Sequence, residues 1–155
     1  MYGPQIVTEL SRLYALEIEA AQAYSAAVAT VGPGQVHDEL TLFWLEHQRH
    51  AIELHQAILE LGHNPPLVEP DVKGVVIGAL SAPRRRLTLE DVLEGLRGNE
   101  QLTNSLYAKA LLRPLPPEAR ALVERLQVDE RHHLSWLERM VSRRIWEASG
   151  AGAHP

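Results

Sequence analysis

Asp129-Glu130-Arg131-His132-His133 interrupts a long amphipathic segment at the point where a packed helix ordinarily buries leucine. The apolar positions around it run Leu122/Val123 and Leu126, then Glu130 and His133, then Leu137, Met140 and Val141. At 3.6 residues per turn, Glu130 and His133 stand three residues apart on the buried stripe. A carboxylate and an imidazole in an apolar core are costly unless something pairs with them, and a metal ion is one such partner. A Glu-x-x-His pair on a bundle helix is also the ligand pattern of carboxylate-bridged dinuclear sites. So short a motif arises by chance, and its meaning depends on whether the chain supplies the rest of a site.

The segment belongs to a helix expected over about 117–148, with residues 149–155 as a flexible tail. A first helix is expected over 4–31, begun by Pro4 and stopped by Gly32-Pro33-Gly34. Its stripe of Leu10, Leu13, Glu17, Ala20/Ala21, Tyr24 and Ala27/Val28 is apolar except for Glu17. A second helix over 35–61 ends at Gly62, and its stripe carries His47 and His50 among Leu40, Phe43, Leu54 and Ile58. A third over 88–113 has Thr88 as its N-cap, acids in its first turn, and Glu100 in an otherwise mainly apolar seam. Short breaks join the first helix to the second and the third to the fourth, which predicts two antiparallel hairpins. Residues 63–87 are too long for a tight turn and read as a crossover, with a short helix over 72–80 and a solvated basic loop at 84–86. The expected fold is an all-α four-helix bundle in a single domain over 1–148.

Composition narrows the function classes. The net charge of −5, with no dense basic face, argues against a nucleic-acid binder. The absence of cysteine excludes disulfides, thiol catalysis, iron–sulfur ligation and a rubredoxin-type iron centre within this sequence. No secretory signal or apolar run of membrane-spanning length is visible, so no membrane partner is expected and a cytoplasmic location is the expectation.

The hairpins repeat. An offset of 83 residues places Glu17 on Glu100, Tyr24 on Tyr107, His47 on Glu130 and His50 on His133. The same offset aligns Leu10, Leu13, Leu40 and Leu54 with Leu93, Leu96, Val123 and Leu137. Each polar seam residue lies within about one turn, ~5.4 Å, of the middle of its helix. Glu17, His47, His50, Glu100, Glu130 and His133 are therefore expected in one central layer, where crowded carboxylates need protons or divalent cations. Taken singly, Glu17 suits a helix edge, and His47 and His50 suit satisfied core histidines. Glu46, Arg49, Asp129 and His132 read as flanking residues, with Arg49 or Asp129 placed to hydrogen-bond a ligand. Tyr24 and Tyr107 read as core rings whose hydroxyls reach a buried carboxylate, and Trp44, Trp136 and Trp146 as packing.

Glu17 with Tyr24, His47-Gln48-Arg49-His50-Ala51, Glu100 with Tyr107, and Asp129–His133 together resemble the ferritin-like superfamily, particularly its small rubrerythrin-like members. The resemblance implies that the first and third helices each give one glutamate and the second and fourth each give Glu-x-x-His, the latter glutamates bridging two irons. Glu17, Glu100, His50 and Glu130-x-x-His133 match that pattern. His47 stands where the second bridging glutamate belongs, and is expected to donate one nitrogen to one ion.

The implied function is metal binding, with two iron ions held by three carboxylates and three imidazoles and Fe(II) oxidised by dioxygen or peroxide. Manganese and zinc are the alternative metals. The alternative role is a non-catalytic stress or structural bundle stabilised by zinc or by a single iron or manganese ion. The resemblance also allows a homodimer through a helical face.

Overall fold

The computed structural model describes residues 3–68 and 87–150, and the described residues are helical with no strand among them. Four long helices, α1 Pro4–Thr30, α2 Gln35–Glu60, α3 Leu89–Leu111 and α4 Pro117–Ser142, are followed by the short α5 Ile145–Gly150. The expected helix over 72–80 and the basic run 84–86 lie outside the described residues.

The helix ends follow from local chemistry. Pro4 and Pro117 occupy first-turn positions, where a missing N–H costs nothing. Gly62 adopts φ +79 after α2, a conformation that glycine reaches without a Cβ clash. The His63 N–H then donates to the Ile58 carbonyl and the Gly62 N–H to the Leu59 carbonyl, the pairing of a Schellman cap. At the start of α3, Thr88 Oγ1 accepts from the Asp91 N–H at 3.1 Å while Asp91 Oδ2 accepts from the Thr88 N–H at 2.9 Å.

One expectation fails at the C-terminal end. The helix expected to run unbroken to 148 stops at Ser142, and Arg144 takes φ 47 before α5 begins. This turn packs Ile145 and Trp146 against the apolar cluster around Leu137 and Val141. Arg144 also reaches Glu147 at 2.7 Å and lies over the Trp146 ring at 5.9 Å.

Packing is paired, α1 on α2 and α3 on α4, with α1–α3 and α2–α4 contacts joining the pairs. Leu10 and Leu13 share one apolar cluster with Leu54, Ile58, Tyr107, Val123 and Leu126. Ala23 and Ala27 share the other with Leu40, Phe43, Leu93, Leu96 and Leu137. Each pair is therefore antiparallel. Because α2 ends beside the first cluster and α3 begins beside the second, the connection between them joins opposite ends of the helical bundle. Between the clusters lies a layer of buried polar side chains. No helix among the described residues is long and apolar enough to cross a membrane.

Candidate metal centre

The six polar seam residues converge in that layer. Glu17, His47, His50, Glu130 and His133 are 0% exposed and Glu100 is 1% exposed, so the centre is closed to bulk water. Their donor atoms form two overlapping groups in which the four atoms lie within 4.8 Å of one another. Glu17, His47, His50 and Glu130 make one; His47, Glu100, Glu130 and His133 make the other. His47 and Glu130 belong to both.

In the first group, His47 Nδ1 donates to Glu17 Oε2 at 2.7 Å and His50 Nδ1 to Glu130 Oε1 at 2.8 Å. In the second, His47 Nε2 donates to Glu100 Oε1 at 3.1 Å. His133 Nδ1 sits 3.5 Å from both Glu100 Oε1 and Glu130 Oε2. Both nitrogens of His47 thus face carboxylates, which its seam position alone did not reveal. The ring lies between the groups with one nitrogen toward each.

Three of the residues read as flanking have defined work, while His132 is exposed and lies 3.8 Å from Glu39. Asp129 Oδ2 accepts from His50 Nε2 at 3.0 Å and is itself held by Arg49 at 2.6 Å. Glu46 Oε2 accepts from His133 Nε2 at 2.5 Å. Glu46 and Asp129 are related by the same 83-residue offset, and each reaches across the α2–α4 interface to the other helix's histidine. Such outer carboxylates fix a ring so that its second nitrogen points inward. The tyrosines cross in the same way: Tyr24 donates to Glu100 Oε1 at 2.6 Å, and Tyr107 donates to Glu17 Oε1. Burial, reinforced by the facing carboxylates, raises both phenol pKa values well above 10, so both remain donors. Asn104, which the sequence did not single out, ties the layer together by donating to the backbone carbonyls of Glu100 and Glu130 at 2.8 and 3.0 Å.

Without a cation, the layer is neutralised by protons on its histidines rather than on all its carboxylates. Burial alone would lower the His47 pKa, but the Glu130 and Glu17 charges and its hydrogen bonds outweigh this and raise it to about 10. The same balance, led by burial and overturned by bonds to Glu130 and Glu17, brings His50 to about 9. Burial also opposes a charged His133, yet Glu100, Glu130 and Glu46 push it well above 6.5. For Glu17, burial is outweighed by His47 and His50, and its pKa falls to about 2. Glu130 goes the other way: burial and then the Glu17 charge raise it to about 7, only partly offset by His47. Crowding of carboxylates therefore does not by itself demand a metal.

The donor set nevertheless fits one. Imidazole and carboxylate together suit iron, zinc and manganese. Glu100 Oε2, Glu130 Oε2 and His133 Nδ1 are buried with no hydrogen-bond partner, and all three belong to residues of the second group. Buried polar atoms left this way are costly, and a cation supplies what the protein does not. No family model matches the sequence, and no curated protein matches it. The fold and the cluster define an all-helical bundle with buried Glu/His groups able to hold a divalent metal ion.

Proposed function

We propose that this chain is a metal-binding protein of the ferritin-like, rubrerythrin-like type, whose dinuclear carboxylate/histidine centre takes two iron ions and oxidises Fe(II) with dioxygen or peroxide. The observation that carries this reading is the pair of overlapping donor groups sharing Glu130 and His47. Glu17 and His50 would hold one ion and Glu100 and His133 the other, with Glu130 Oε1 beside His50 and Glu130 Oε2 beside His133. The paired antiparallel helices and the connection between opposite ends of the bundle support the ferritin-like assignment. Bound iron supplies the redox chemistry and polarises the oxidant. The protein's part is to fix the ions and exclude larger molecules. With the centre at most 1% exposed, only a small oxidant fits the proposal.

Aerobic Fe(II) titration tests it. Stoichiometric binding with oxidation faster than in a Glu130→Ala/His133→Ala variant is expected, and equal behaviour of the two proteins contradicts the reading. The complete burial of the layer also favours a second role, in which zinc or a single iron or manganese ion stabilises the fold without turnover. A large loss of thermal stability on chelation, with no oxidation for any metal, selects that role.

A further inference from the structure

We propose that His47 bridges the two donor groups through its ring, Nδ1 ligating one divalent ion and Nε2 the other. The inference rests on the metal-binding reading above and concerns how the ions are shared.

Three observations single out this ring. First, its nitrogens face different groups: Nδ1 is 2.7 Å from Glu17 Oε2 and Nε2 is 3.1 Å from Glu100 Oε1. Second, His50 and His133 each give Nε2 to an outer carboxylate, Asp129 or Glu46, and turn only Nδ1 inward. A ligating histidine ordinarily has such an outer acceptor for its second nitrogen. His47 has both nitrogens on inner carboxylates. Third, charge balances. Three carboxylates contribute −3, and an imidazole that has lost both ring protons adds −1, giving −4 against two divalent ions of +2 each. A neutral set matters in a layer closed to water, where net charge is costly. Loading both ions displaces both His47 ring protons, which leave to solvent.

Long-range proton–nitrogen NMR of the full chain, labelled with nitrogen-15 at histidine and titrated with Zn(II), tests this without any activity assay. At two equivalents, His47 is expected to show two metal-bound nitrogens and no ring N–H, while His50 and His133 retain their Nε2–H. A His47 ring that keeps one N–H while His50 and His133 respond to zinc overturns the bridge and leaves the metal site standing. Binding that stops at one equivalent also overturns it. If none of the three rings responds to zinc, the metal-binding reading falls as well.

Discussion

His133 Nε2 lies 2.5 Å from Glu46 Oε2, so a histidine of α4 is oriented by a carboxylate of α2. The bond from His133, set against burial, holds the Glu46 carboxyl below its ordinary range. Its counterpart, Asp129 with His50, is made by the residue next to Glu130 in sequence and crosses the same interface in the opposite sense. Outer contacts of this kind are worth about 10–100-fold in metal affinity. Glu46→Ala and Asp129→Ala are each expected to weaken Zn(II) binding by about that factor. Competition against a chromophoric chelator measures it, and unchanged affinity in both variants would remove these residues from the site.

The tyrosines differ in what their loss leaves behind. Glu100 Oε1 accepts from both Tyr24 and His47, whereas Glu17 Oε1 accepts from Tyr107. Stripping a buried carboxylate oxygen of its donor costs about 1–3 kcal/mol. Tyr107→Phe is therefore expected to destabilise the metal-free protein by about that amount, and Tyr24→Phe by less. Urea unfolding in chelator decides the order, and a reversed order contradicts the hydrogen-bond assignment.

The metal-free protein has a definite pH dependence. His47 and His50 are raised from 6.5 to about 10 and about 9, so their stabilisation is complete below pH 6.5 and lost as pH rises through 9 and 10. Glu130, raised from 4.5 to about 7, also favours the folded state less as pH rises through 7. Glu17, lowered from 4.5 to about 2, stabilises above pH 4.5 and ceases to as pH falls through 2. Melting temperature in chelator is thus expected to be highest near pH 4.5, to fall as Glu130 ionises towards pH 7, and to decline further on the alkaline side. Zinc reverses that slope, because metal displaces the histidine protons, and the stabilisation it confers grows with pH. Thermal melts from pH 5 to 10, with and without Zn(II), check both signs; parallel curves would show that the ion binds elsewhere.

Much of this was legible in the chain. Periodicity placed Glu17, His47, His50, Glu100, Glu130 and His133 in apolar seams, and all are buried in one layer. Thr88 with Asp91 and Gly62 announced helix ends because capping is local chemistry. The tyrosine hydroxyls reach carboxylates as expected. What the sequence withheld depends on side-chain rotation and three-dimensional packing. Spacing says that His47 is on the seam, not that its two nitrogens face different glutamates. Spacing likewise pairs Glu46 with Asp129 by offset but does not show that each crosses to the opposite histidine. The turn at Arg144 was hidden because the residues around it carry a helical pattern; only docking of Ile145 and Trp146 explains the break.

The most direct test of the central claim is the metal content of the full chain purified without added metal, compared with a Glu130→Ala/His133→Ala variant handled identically. Two divalent ions per chain in the wild type, lost from the variant, are the predicted result. Wild-type protein that is free of stoichiometric metal, or a variant that retains as much, would contradict the account.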